Sequence, residues 1–142
     1  MQAKKIMLLA ILLISLTAGF TQDTAVTSVD IVKVKNGYVN EATYFFENNW
    51  KLYRDSALAN NFISGYRIMK TVADSAQTTF MLFTEYRSRQ SYFDREKNFQ
   101  PLMKKLRPSG PIYMNNLKRD DILHRSENFL MHDLFTLEEK KQ

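Results

Sequence analysis

Few side chains in this sequence could do chemistry. The chain has two histidines and no cysteine, so thiol catalysis, iron–sulfur clusters and cysteine-ligated zinc have no ligands. His124 follows Asp120 and Asp121 closely. An imidazole in such a cluster can act as a base or contribute to a two-ligand metal site, while the plain alternative is a loop-edge histidine satisfied by water or backbone. His132 stands between Met131 and Asp133 in an apolar stretch and is the better pocket candidate, with a hydrogen-bonded strand histidine as its ordinary counterpart. On one straight strand the two would lie roughly 26 Å apart, too far to share a metal unless the chain bends, and no metal is expected.

A second group is made of phenols and guanidinia. Tyr66-Arg67 and Glu85-Tyr86-Arg87 place an acid, a phenol and a guanidinium near one rim, which suits an anionic or phenolic ligand. A solvated strand edge would explain the same residues. Tyr44, Trp50, Tyr53, Tyr66, Tyr86 and Tyr92 could line a cavity for a flat molecule, although Trp50 and Tyr53 also fit core packing. Trp50, Tyr66, Arg67 and Tyr86 are the ligand-binding candidates, with His132 and His124 the candidate bases. The chain lacks G-x-G-x-x-G, a P-loop, H-E-x-x-H and G-x-S-x-G, so nucleotide, zincin and serine-hydrolase chemistry has no anchoring geometry. The basic and aromatic residues of RSRQSYFDREKNF are interrupted by Asp94 and Glu96, which argues against nucleic acid. No cofactor is expected.

The elements that must position these groups follow from periodicity. VTSVDIVKVK, from Val26 to Lys35, is β-branched and alternating, and Asn36-Gly37 ends it. A helix follows, with Val39, Thr43, Phe46, Trp50, Tyr53 and Ala57 on one side, widened by Phe45 and Leu52 and closed by Asn60-Asn61. ISGYRIMKTV and QTTFMLFTEYR read as a hairpin across residues 73–76. Ser88 or Ser91 caps a second helix whose stripe is Tyr92, Glu96, Phe99, Met103 and Leu106, with Phe93 beside it, and Arg107-Pro108-Ser109-Gly110-Pro111 stops it. After a loop through Asn115 and Asn116, ILHRSENFLMHDLF supplies a last strand or a bent pair.

Residues 1–22 read as a secretory signal: Lys4 and Lys5, an apolar run from Ile6 to about Leu16, then small residues. The run is short for a membrane span, and the expectation is cleavage and export to periplasm or medium, with an uncleaved anchor as the alternative. No cysteine follows it to carry a lipid. Residues 23–136 would form one domain and 137–142 a polar tail. Lys and Arg number 20 against 15 Asp and Glu; the excess is mild and scattered, which supports neither a nucleic-acid surface nor a membrane patch.

Strand, helix, strand, strand, helix, strand is the order of the ferredoxin-like βαββαβ sandwich, an α+β fold with both helices on one face of an antiparallel sheet. The other face would expose one parity of FMLF and of FLMHDLF, and a partner sheet would cover it. On this order and on VDIVKVKNGY and FMLFTEYRS, residues 26–135 resemble the dimeric α/β-barrel superfamily. The chain is similar to the antibiotic-biosynthesis-monooxygenase-like and NIPSNAP-like branches and to small exported Bacteroidetes proteins. The resemblance implies a homodimer packed through sheet faces and a cavity between sheet and helices. Haem-binding relatives ligate iron near the second helix, where residues 88–107 contain no histidine.

Three functions are open at this point. The first is an exported homodimer holding an apolar or aromatic small molecule between sheet and helices. The second is a cofactor-independent monooxygenase or isomerase with a histidine base and Tyr66, Arg67 or Tyr86 positioning substrate. The third is an interaction module without a pocket.

Overall fold

A computed structural model describes residues 24–71, 77–124 and 126–132. The expected signal at 1–22, the hairpin turn at 73–76 and the polar tail at 137–142 lie outside them. Strand β1 (Val26–Lys33) is followed by a continuous helical run of α1 (Val39–Phe45), a π-helical segment (Phe46–Lys51) and α2 (Leu52–Ala59). Then come β2 (Gly65–Lys70), β3 (Thr79–Tyr86), α3 (Arg89–Phe93), α4 (Arg95–Leu106), the single turn α5 (Arg119–Ile122) and β4 (Glu127–Met131).

The strands form one antiparallel sheet in the order β2-β3-β1-β4, which is the ferredoxin-like sandwich expected from the element order. Gly37, at φ +85°, makes the left-handed turn that ends β1, and Asn61, at φ 59°, closes the first helical run where Asn60-Asn61 were expected to. Ser88 is the N-cap: its Oγ accepts from the Ser91 N–H at 3.0 Å.

Three details depart from the sequence reading. The second helix is interrupted at Asp94 and carries Pro101 inside α4, so it is a short turn followed by a longer helix. Of its expected stripe only Phe99 is fully buried. The last segment begins as a helical turn closed at Ile122 rather than as a strand; Leu123 then bridges to Val34, the strand proper runs Glu127–Met131, and residues 125 and 133–135 lie outside the described residues.

Alternation along the strands sorts side chains by face. Val26, Ser28, Asp30 and Val32 of β1 share a face with Phe80, Leu82, Thr84 and Tyr86 of β3, and that face meets the helices. The core there divides in two. One half gathers Val32, Phe46, Trp50, Phe80, Leu82 and Ile122; the other gathers Val26, Tyr53, Ala57, Ile63, Tyr86 and Phe99. Asn49, 1% exposed, pins the loop after α4 to the π segment: its amide donates to the Phe45 and Ile112 carbonyls at 2.9 and 2.8 Å and accepts from the Ile112 N–H at 2.9 Å.

The opposite face carries Val29, Ile31, Met69, Met81, Phe83, Phe129 and Met131 in register, uncovered by any element. Met69, Phe129 and Met131 are 49%, 46% and 53% exposed, an apolar expanse of the kind a partner usually covers.

Candidate functional site

Between the two halves of the core runs a polar band. Ser28 and Thr84 are directly paired across β1 and β3 and both are buried; Asp30 and Asn128 are paired across β1 and β4. The Asn128 amide donates to Ser28 Oγ at 3.0 Å and to Asp30 Oδ1 at 2.7 Å. Above them, Arg54 reaches down from α2. Its Nε donates to Thr84 Oγ1 at 3.1 Å, and its guanidinium lies 4.7 Å from the Trp50 ring centroid and 4.5 Å from that of Phe99. Polar groups in the middle of a core are costly unless something repays their desolvation. Here β1 contributes Ser28 and Asp30, β3 contributes Thr84, the edge strand β4 Asn128 and the helix Arg54, and of these Ser28 and Thr84 are buried.

The band opens into a cavity of about 330 Å³ between sheet and helices, a volume at the small end of small-molecule sites. Ser28, Asp30, Tyr86 and Asn128 form its floor, and Arg54, Arg95, Glu96, Phe99 and Met103 its roof. A second cavity of about 210 Å³ adjoins it at Asp30 and is lined by Phe45, Phe46 and Trp50. The Trp50 Nε1 is buried without a hydrogen-bond partner among the described residues.

Charge in the cavity is uneven. Arg95 stacks on Tyr92 at 4.1 Å, donates to the Tyr92 carbonyl at 3.0 Å and sits 4.0 Å from Glu96 Oε1. Arg54 forms no ion pair among the described residues. Burial pushes its pKa down, opposed by Tyr86 and Asp30. Burial likewise raises the Tyr86 phenol, with Arg54 and Arg95 acting the other way.

The candidate residues read from the sequence fall on different faces. Tyr86 lines the sheet–helix cavity, and Trp50 lies in the adjoining one and backs Arg54. Tyr66 is on the helix side, edge-on to Trp50 at 5.6 Å and donating to the Asp55 carboxylate. Lys51, 2.7 Å from that carboxylate, together with the Tyr66 hydroxyl, holds Asp55 below the usual range. Arg67 points the other way, stacking on Phe83 at 4.8 Å. It lines a depression of about 320 Å³ on the open sheet face with Glu85 and His132. Arg87 turns aside to Asn61. The single rim expected for these groups is therefore two sites on opposite faces, because neighbouring strand residues alternate.

His132 is exposed just past the end of β4. His124 is exposed between the Leu123 bridge and β4, its N–H donating to the Lys33 carbonyl at 2.8 Å. Neither lines the sheet–helix cavity, and no cluster of His, Asp and Glu able to hold a metal occurs among the described residues.

The sequence reading missed Arg54, Asp30 and Asn128. Two of the three left a trace. Arg54 continues the i, i+4 row of Ala42, Phe46 and Trp50, so a charge sits where the next core residue belongs. Ser28 and Asp30 occupy the buried parity of β1 between Val26 and Val32.

The strand order and the helices on one sheet face define a ferredoxin-like protein with a cavity between its layers. Solved structures agree on the fold. A Bacillus cereus protein provisionally named an antibiotic biosynthesis monooxygenase matches with a TM-score of 0.52 and 10% identity, over 80% of this chain and 96% of its own. A dimeric ferredoxin-like protein from an uncultured marine organism matches with a TM-score of 0.54 and 15% identity, over 84% and 96%. No protein-family model and no curated protein sequence matches the chain.

Proposed function

We propose that the protein is a small exported homodimer that holds an aromatic small molecule between its sheet and its helices. The observation that carries the binding reading is the cavity of about 330 Å³, into which a polar band opens from the middle of an otherwise apolar core. Phe99 and Met103 give it an apolar roof and Tyr86 an aromatic floor. Ser28, Asp30 and Thr84 already find partners within the band, and a ligand in the cavity would give the terminal nitrogens of Arg54 the acceptor that the described residues do not supply.

Dimerisation rests on the open face. Met81, Phe83, Phe129 and Met131 present it to water in one copy, and a second copy laid sheet to sheet removes that surface. The neighbour named as a dimeric ferredoxin-like protein supports this assembly. Export rests on Lys4, Lys5 and the apolar run that follows them.

Native mass spectrometry of the protein purified from its own host tests both parts together. The expected result is a dimer carrying a defined extra mass. An empty dimer, whose mass does not change on incubation with aromatic compounds, would overturn the binding reading, and a monomer would overturn the sheet-to-sheet assembly.

A further inference from the structure

The cavity also says what kind of molecule it takes. Of its four charged side chains, Asp30, Arg95 and Glu96 are already engaged where they stand. Arg95 is spent on the face and carbonyl of Tyr92 and on the neighbouring Glu96, at the outer rim of the roof. Asp30 receives a hydrogen bond from Asn128 at 2.7 Å. Arg54 differs from these three.

The guanidinium carbon of Arg54 lies over the rings of both Trp50 and Phe99, 4.7 and 4.5 Å from their centroids, and these contacts hold it in place. Its Nε is committed to Thr84 Oγ1. That leaves the two terminal nitrogens, and among the described residues no carboxylate forms an ion pair with them. A guanidinium anchored through its Nε, with its two terminal nitrogens left to donate, can read a carboxylate through a pair of hydrogen bonds. Its desolvation, which already lowers its pKa, makes a charged acceptor worth more there than on the surface.

We infer that Arg54 anchors the carboxylate of a small aromatic acid, whose ring lies under Phe99 and Met103 and over Tyr86. This rests on the binding reading above and narrows it from aromatic molecules to aromatic acids. The volume of about 330 Å³ limits the acid to one or two rings. Asp30 shares the cavity with Arg54 and repels an incoming anion, so it weakens acid binding and rejects dianions.

The test uses the purified protein with benzoate and 2-naphthoate, their neutral amides, and 2-naphthylmethylamine, followed by calorimetry and melting shift. The expected result is that the acids bind at least tenfold tighter than the amides and that the amine does not bind. Arg54→Met should abolish the preference for acid over amide. Asp30→Asn should strengthen acid binding several-fold, a gain that mere damage to the fold does not produce. Amides binding as tightly as acids would overturn the carboxylate assignment while leaving an occupied cavity intact. Preference for the amine would overturn it in favour of Asp30 as the reader. Failure of every probe would overturn it as well, and the native mass result would then decide the broader reading separately.

Discussion

Arg54 Nε donates to Thr84 Oγ1 across 3.1 Å, and this bond ties the first helical run to β3, one of the two central strands of the sheet. It crosses the gap between two apolar clusters that otherwise share no fully buried residue. The helix layer is therefore attached to the sheet by packing at both ends and by a charged contact at the centre, where the cavity lies.

Trp50, 9% exposed, packs in the first cluster and forms one wall for Arg54. Replacing it by alanine should destabilise the fold by about 3–5 kcal/mol, read as a shift in the urea midpoint. Wild-type unfolding would mean that the helix repacks around the gap.

Asn49→Ala removes three hydrogen bonds at a buried position and leaves the Ile112 N–H and carbonyl without their partner. A loss of about 1–3 kcal/mol follows. Faster amide exchange at Ile112 in the variant would show that the loop after α4 has come loose, and unchanged exchange would show that it is held elsewhere.

Phe83 stands at the centre of the open sheet face, paired with Val29 and Arg67 in register. Phe83→Asp would bury a carboxylate in an apolar interface, at a cost of several kcal/mol. If two copies pack sheet to sheet as proposed, sedimentation should show the wild type as a dimer and the variant as a folded monomer at the same concentration. An unchanged profile would place the interface on another surface.

Burial holds the Tyr86 phenol protonated beyond the usual tyrosine range. Above about pH 10 the unfolded chain loses this proton before the folded one does, so the unfolded state binds fewer protons and stability falls as pH rises. Tyr86→Phe removes that contribution. Its melting temperature should decline less steeply than that of the wild type between pH 9 and 11. Tyr53, Tyr66 and Tyr113 are also raised, so some decline remains. Parallel curves would contradict a buried phenol.

The fold was legible in the sequence because each element announces itself locally. Alternation in β1, the stripe from Val39 to Ala57 and the breakers at Asn36-Gly37 and Arg107-Pro108 are set by neighbours in the chain. The cavity was not legible, because Asp30, Arg54, Thr84 and Asn128 meet only through strand register and helix placement. Pairing Tyr66 with Arg67 failed for the opposite reason: adjacency in sequence on a strand means opposite faces in space. His132 and His124 drew attention as the two histidines of the chain, a property of composition that carries no information about which side of the sheet they reach.

The most direct measurement is an amide-resonance titration of the isotope-labelled protein with 2-naphthoate. Shifts centred on Ser28, Asp30, Thr84 and Asn128 are the expected result and would locate the ligand between sheet and helices. Shifts centred instead on Arg67, Phe83 and His132 would put it on the open sheet face and contradict the sheet–helix cavity as the site.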